Sequence, residues 1–204
     1  MKYLFLFLFC LPSYAEEDNR IKVALLDTGI NVSRRLSPYM CSTGHKDFTG
    51  TNLNDSHGHG TQLAKIISRR INPKTTCIVN IKILKSGNYE ESLAPQALTY
   101  ALSNLNNLKF VNLSFSGPNP IKQEYKAIKI ALKENIKVVV AAGNDKKNLN
   151  KECSVWPACF KFANPGFYVA GSRRSNYGSF VRVLPGPWSS QAAARLTGRL
   201  ASEH

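Results

Sequence analysis

The residues from Asp55 to Thr61, Asp-Ser-His-Gly-His-Gly-Thr, carry the clearest chemical signal in the chain, because two imidazoles stand here between glycines. Glycine has no Cβ, so Gly58 and Gly60 allow the backbone to come close to whatever His59 contacts. The apolar-periodic run that begins at Leu63 predicts a helix. We therefore expect His59 to lie at the start of a helix and to transfer a proton there.

Two other interpretations of this stretch are open. His57 and His59 would form half of a metal site, since neutral imidazole is a common ligand. Four ligands are usual, however, and no partner set of Cys, His or Asp stands at ligand spacing elsewhere in the sequence. We therefore predict no metal and no cofactor. The stretch would also serve as a purely structural turn, so the other residues of the chain must decide between a turn and a catalytic site.

Length and composition describe a globular protein with a basic surface. The chain has 204 residues, 43% of them hydrophobic, which is enough for one domain with a full-sized core. Its formal net charge of +14 attracts anionic partners. The lysines and arginines are scattered, however, and no nucleic-acid motif with interleaved aromatic residues is present. The charge is therefore interpreted as a solvated surface, without a specific nucleic-acid partner.

The first fifteen residues are typical of a signal peptide. Lys2 precedes an apolar run over 3–11, and a small-residue cleavage site ends at Ala15. The run is too short to span a bilayer. We expect a single domain over residues 16–204 that is exported to the periplasm or the medium, with no membrane span.

Four cysteines remain beyond the predicted signal peptide. An even number in an exported protein favours disulfides, and four cysteines allow three pairings. The pairing of Cys153 with Cys159, and hence of Cys41 with Cys77, is favoured because the first pair closes a short loop.

Apolar periodicity predicts strands and helices that alternate along the chain. Such alternation indicates an α/β fold, a three-layer doubly wound and mostly parallel sheet with helices on both faces. The predicted strands are 21–27, 77–83, 110–113, 136–142, 167–170 and 180–184, and the predicted helices are 59–70, 92–104, 121–134 and 190–201.

Polar residues stand at the carboxyl ends of several of these strands. Asp27, Ser114 and Asn144 each follow an apolar strand, while His59 and Ser190 each begin a helix. In doubly wound sheets, ligands bind outside the carboxyl ends of the strands. These five residues are therefore expected to face one crevice.

This set of residues has the composition of a nucleophilic site. A serine hydroxyl is a weak nucleophile unless a base takes its proton and a third group orients the base. Ser190, His59 and Asp27 supply these three roles. The side-chain amide of Asn144 and the backbone N–H of Ser190, at a helix N-terminus, would stabilise the negative charge on a carbonyl oxygen.

These residues lie in motifs that resemble those of the subtilisin-like serine proteases, or subtilases. The resemblance makes His59, rather than His57, the base. The matching stretches are Asp27-Thr-Gly-Ile30 for the aspartate motif, Asp47-Phe-Thr-Gly50 and Asp55 to Thr61 for the histidine motif, and Val140-Ala-Ala-Gly-Asn144 for the oxyanion asparagine.

The resemblance also implies where a substrate binds. One stretch resembles the segment that pairs with extended substrate and forms a wall of the primary pocket. The implied substrate-binding residues are Ser114, Phe115, Ser116, Gly117 and Gly143.

The family serine motif, Gly-Thr-Ser-x-Ala-x-Pro, aligns with residues 188–194 and identifies Ser190 as the nucleophile. Trp188 and Ala194 stand where the family has Gly and Pro, and the segment before this motif is shorter than in the family. The resemblance implies a monomeric serine endopeptidase whose partner is a polypeptide substrate. Because of these differences from the family motif, the alternative is an inactive homologue that binds peptides or a partner protein.

Overall fold

The computed structural model describes residues 18–85 and 93–204, so the predicted signal peptide lies outside the described residues. The strands are β1 Ile21–Asp27, β2 Lys46–Asp47, β3 Thr76–Lys82, β4 Leu108–Leu113, β5 Lys137–Ala141, β6 Phe167–Gly171 and β7 Val181–Val183. The helices are α1 His59–Ser68, α2 Leu93–Asn104, α3 Lys122–Lys133 and α4 Ser189–Ser202, with short 3₁₀ turns at Ser37–Tyr39 and Ala158–Phe160.

These seven strands form one sheet in the order β2-β3-β1-β4-β5-β6-β7. Every neighbouring pair is parallel. The predicted doubly wound fold is confirmed, and this sheet is parallel throughout. Parallel sheets are covered on both faces, which explains why the central strands appear in the sequence as continuous apolar runs.

Two hydrophobic layers flank the sheet, and β1 contributes to both. Val23 and Leu25 pack with α1 and α4 on one face, whereas Ala24 and Leu26 pack with α2 and α3 on the other. The alternation follows from the two-residue period of a strand. The predicted three-layer arrangement is therefore confirmed.

The crevice forms where the connections change face. β1 lies between β3 and β4. The helix that follows β1, α1, covers one face, while α3, which follows β4, covers the other. Loops that leave neighbouring strands toward opposite faces open a gap at the carboxyl ends of those strands. Asp27, the last residue of β1, lies at this gap.

The structure adds elements within residues 31–54, where the sequence predicts no strand or helix. β2 pairs with β3 through Ile81 and Lys82 at the edge of the sheet. An element of two residues is too short for hydrophobic periodicity to reveal. The predicted start of the second helix, residue 92, lies outside the described residues. The other predicted boundaries differ from the observed ones by at most two residues, the usual uncertainty of element ends.

Two disulfides have the favoured pairing. Cys41 is joined to Cys77 across 36 residues, and Cys153 to Cys159 across six. Asp18 lies beside Cys41 and Cys77, but sulfurs that are joined to each other offer no thiolate to a metal. Within residues 18–85 and 93–204, no helix is both long and apolar enough to cross a membrane.

Candidate active site

A buried carboxylate and an imidazole meet at the end of β1. Nδ1 of His59, the first residue of α1, lies 2.7 Å from Oδ1 of Asp27. The Asp27 side chain is 1% exposed, and its Oδ1 also accepts the backbone N–H of Thr28 at 2.8 Å. The predicted proximity of Asp27 and His59 is thus observed, and it fixes Nδ1 of the imidazole against a carboxylate.

The glycine after His59 allows this close approach. The N–H of Gly60 donates to the hydroxyl of Thr28 at 2.9 Å. A Cβ on Gly60 would lie 2.3 Å from the carbonyl oxygen of Gly29 and 3.1 Å from Oδ1 of Asp27. Any side chain here would push the first turn of α1 away from the end of β1.

Asp55 holds the turn that precedes α1. Its Oδ1 accepts the N–H groups of His57 and Gly58 and the hydroxyl of Thr28. Its Oδ2 accepts both the N–H and the hydroxyl of Thr61, at 2.8 and 2.7 Å. Burial alone would raise the pKa of Asp55, but these hydrogen bonds outweigh it and lower the pKa. The ionised carboxylate therefore joins the end of β1 to the start of α1.

The protonation of His59 is set by opposing effects. Burial alone would lower the pKa of the imidazole. The hydrogen bond with Asp27 and the negative charges of Asp27 and Asp55 outweigh burial and raise the pKa above its ordinary value of 6.5. His59 is consequently a stronger base than an isolated histidine.

Asn144 lies against the start of α4. Its Oδ1 accepts the backbone N–H of Ser189 at 2.9 Å. Because a backbone N–H only donates, the oxygen of the amide must face it, and the NH₂ group is turned away from α4's first residue. Asn144 is exposed, so this NH₂ group is available at the surface of the crevice.

Asn176 fixes the turn that carries Asn144. Its Nδ2 donates to the carbonyl of Ala142 at 2.8 Å, and its Oδ1 accepts the N–H of Asp145 at 2.9 Å. Gly143 has a φ of +83°, and a Cβ there would lie 2.6 Å from Nδ2 of Asn176. The sequence analysis did not identify Asn176 as a site residue, because its role depends on contacts more than thirty residues away.

Ser190 is the second residue of α4 and is 9% exposed. In the described part of the chain, neither its Oγ nor Nε2 of His59 forms a hydrogen bond, so the two side chains are not directly linked. Their helices do pack together. A Cβ on Gly198 would lie 3.1 Å from the carbonyl of Ile67, which shows how closely α4 approaches α1.

A buried polar network joins β4 to α4 beneath Ser190. The Ser114 hydroxyl donates to the carbonyl of Ser190 at 3.2 Å and accepts Nδ2 of Asn112 at 2.7 Å. Oδ1 of Asn112 accepts the Thr197 hydroxyl at 2.8 Å, and both of these residues are 0% exposed. The sequence analysis missed Asn112 and Thr197, although an Asn inside an apolar strand is a signal for a buried network.

The other predicted substrate-binding residues differ in exposure. Phe115 is buried in the core, whereas Ser116 is exposed. Gly117 and Trp156 exchange two backbone hydrogen bonds of 2.9 Å as an antiparallel bridge. The backbone of Ser116 forms no hydrogen bond with any described residue, so its N–H and C=O are open to a partner.

Trp188, which replaces a family glycine, occupies the N-cap position of α4 with extended backbone dihedrals. Its side chain is 48% exposed. The indole therefore lies at the surface beside the first turn of α4.

Known proteins of similar sequence are serine proteases. Residues 18–171 match the family model described as the Subtilase family, Peptidase S8. Subtilisin-like protease 2 of Trichophyton verrucosum is 30% identical over 176 residues, covering 78% of this chain and 40% of the relative. The major intracellular serine protease of Bacillus subtilis (strain 168) is 30% identical over 145 residues, covering 61% and 43% respectively. This chain spans less than half the length of either relative.

Solved structures share the fold. A cold-adapted subtilisin-like serine proteinase has a TM-score of 0.69 at 23% identity, covering 92% of this chain and 75% of that one. An epidermin leader peptide processing serine protease from Staphylococcus aureus has a TM-score of 0.72 at 19% identity, covering 90% and 64%. The likeness to these structures shows the fold, while the family match over residues 18–171 and the 30% identical relative that covers 78% of the chain establish that the chain belongs to the subtilase family of serine proteases.

Proposed function

We propose that this subtilase is an exported, monomeric serine endopeptidase with Ser190, His59 and Asp27 as its catalytic triad. The observation that carries the proposal is the 2.7 Å hydrogen bond between His59 and a carboxylate that is 1% exposed. A buried carboxylate at this position holds one nitrogen of the ring as a donor and leaves the other free to accept a proton.

In the proposed reaction, Oγ of Ser190 attacks the peptide carbonyl while Nε2 of His59 takes the hydroxyl proton. The Nδ1–H of His59 donates to Asp27, whose charge stabilises the imidazolium. The side-chain NH₂ of Asn144 and the backbone N–H of Ser190 stabilise the oxyanion. His59 then protonates the leaving amine, and a water molecule repeats the sequence to release the acyl group from Ser190.

The separation of Ser190 from His59 is compatible with this role. Catalytic hydrogen bonds are often long or misaligned before the substrate binds, and they tighten in the complex. The packing of α4 on α1 and the network from Thr197 to Ser190 hold the nucleophile's backbone near the histidine's helix.

An extended substrate is proposed to bind along the segment from Ser114 to Gly117, with Gly143 on the opposite wall. Ser116 offers an N–H and a C=O with no described partner, as the edge of a sheet does to an added strand. Export is supported by the two disulfides, since such bonds persist in oxidising compartments.

Intact-mass measurement after treatment with a fluorophosphonate tests the proposal. The nucleophile displaces fluoride and keeps the phosphonyl group, so we expect one adduct on the chain and none on Ser190→Ala. Equal labelling of the two proteins would contradict the assignment of Ser190. A folded wild-type chain without an adduct would instead indicate the inactive homologue.

We also expect a displaced acid limb in the pH dependence of kcat/KM. His59 must be neutral to accept a proton, and its pKa is raised, so activity should fall with decreasing pH through a midpoint above 6.5. The raised pKa also makes the stability of the fold depend on pH, but in the opposite direction: activity increases with pH, whereas this contribution to stability decreases. The stabilisation from the His59–Asp27 pair is complete below the pKa of unfolded histidine and is lost as pH rises through the folded value.

Rates on one peptide from pH 5 to 9 would measure this limb, with urea unfolding at the same pH values as the control for stability. A midpoint at or below 6.5 would contradict the proposed coupling of His59 to Asp27.

A further inference from the structure

Two neighbouring cavities lie along α1, and Lys65 lines both of them. The first has a volume of about 630 Å³ and includes Asn31, His57, His59 and Gln62 in its wall. The second has a volume of about 430 Å³, and its polar lining residues are Ser33, Arg35, Tyr39, Lys65, Ser68 and Arg69.

The two cavities together form a trough between α1 and the loop 31–39. His59, Gln62, Lys65 and Arg69 follow one another at intervals of three or four residues, so they share one face of the helix. Ten residues of helix span about 15 Å. An extended chain advances about 3.3 Å per residue, so the trough has room for about four or five residues beyond His59.

The walls of the trough are held by the core. Leu36 of the loop is buried and belongs to the same hydrophobic cluster as Leu63 and Ile67 of α1. The N–H groups of Leu36 and Ser37 both donate to the carbonyl of Ser33 at 2.9 Å. The trough is therefore preformed, as binding sites usually are.

Its charge is positive and uncompensated. Arg35, Lys65 and Arg69 are exposed, and none of them forms an ion pair with an acidic side chain in the described ranges. The segments 28–46 and 56–85 contain no Asp or Glu at all. A bound anion would relieve the mutual repulsion of the three cations, and an arginine can pair with a carboxylate through two parallel hydrogen bonds.

We propose that this trough binds an acidic segment of the polypeptide substrate, so that the enzyme prefers chains carrying Asp or Glu a few residues from the cleaved bond on the His59 side. The inference rests on the proposed function for its link to cleavage. A peptide is favoured over a nucleic acid because the trough begins at the proposed catalytic histidine and, apart from the imidazoles of His57 and His59, its lining offers only the Tyr39 ring for stacking.

Binding to the Ser190→Ala chain tests the trough without requiring cleavage. Fluorescence anisotropy would compare a labelled peptide containing four consecutive glutamates with the same peptide containing four glutamines. At low salt, we expect the glutamate peptide to bind roughly five- to tenfold more tightly, the size expected for two or three exposed ion pairs, and this preference to decrease with added salt.

A matched pair of variants separates the trough from the general charge of the protein. Adding Lys65→Gln and Arg69→Gln should remove the preference. Adding Lys126→Gln and Lys129→Gln, which removes equal charge from exposed positions of α3 on the other face of the sheet, should leave it intact. Equal loss in both variants, or equal binding of the two peptides, would overturn the proposal. Tighter binding of a single-stranded oligonucleotide that depends on Lys65 and Arg69 would also overturn it.

Cleavage rates of quenched peptides with glutamate or glutamine on either side of the cleaved bond complete the test. The ratio of kcat/KM should favour glutamate on one side, and Lys65→Gln with Arg69→Gln should abolish that ratio. If the wild-type chain cleaves nothing, the proposed function fails, while the binding comparison still decides whether the trough recognises acidic peptides.

Discussion

Replacing either Ser190 or His59 by alanine is expected to lower kcat by about 10⁶-fold, and replacing both is expected to lower it little further. The reason is that the two side chains act as one unit. Without the base, the hydroxyl keeps its proton, and without the hydroxyl, the base has no proton to take. The residual rate would come from substrate binding and from the oxyanion donors, which neither substitution removes.

Steady-state rates of the two single variants and the double variant on one peptide would measure this coupling. Ser202→Ala, at the exposed far end of α4, is the matched control and should retain wild-type activity. Additive losses would show that Ser190 and His59 contribute independently, which contradicts a triad. Thermal unfolding of each variant would confirm that the comparison is between folded proteins.

Replacing Asp27 by asparagine is expected to lower kcat by about 10⁴-fold. The substitution keeps the size of the side chain, and an oxygen can still accept the N–H of Thr28. It removes the negative charge that stabilises the imidazolium of His59, and an amide NH₂ can favour the wrong tautomer of the ring. The loss is smaller than that for His59 because base and nucleophile remain in place.

The pH dependence distinguishes this electrostatic role of Asp27 from a structural one. Because the negative charge of Asp27 contributes to the raised pKa of His59, the acid limb of kcat/KM should move to lower pH in Asp27→Asn. A variant that has merely lost structure would lose activity without this displacement. An unchanged midpoint, or a loss of kcat below tenfold, would contradict the proposed role.

Local patterns in the sequence were sufficient for most of the architecture. The run Ile21–Asp27 predicted β1 because it is mostly apolar, and in the structure all of its side chains after Ile21 are buried. The helix at His59 was predicted from the spacing of apolar residues. The pairing of Cys153 with Cys159 could also be predicted, since the two cysteines are only six residues apart in the sequence. β2 was not predicted because two residues are too few to show hydrophobic periodicity.

Contacts between distant segments could not be predicted from local sequence patterns. The hydrogen bond between Asn112 and Thr197 connects residues 85 positions apart, and those of Asn176 join two turns about thirty residues apart. The trough along α1 depends on Arg35 lying near Lys65 and Arg69 across a gap between a loop and a helix. In the sequence, these cations are indistinguishable from other solvated charges.

The sequence by itself determined the family motifs, the alternation of strands and helices, and the position of the candidate catalytic residues at strand ends and helix starts. These properties follow from local burial and from the placing of Asp, His, Ser and Asn beside apolar runs. Only the tertiary structure decided that Asp27 and His59 are in contact, that the amide oxygen of Asn144 faces α4, and that the basic residues along α1 form one trough. The physical reason is that chain folding brings distant segments within hydrogen-bonding distance, and no short window of sequence contains both partners.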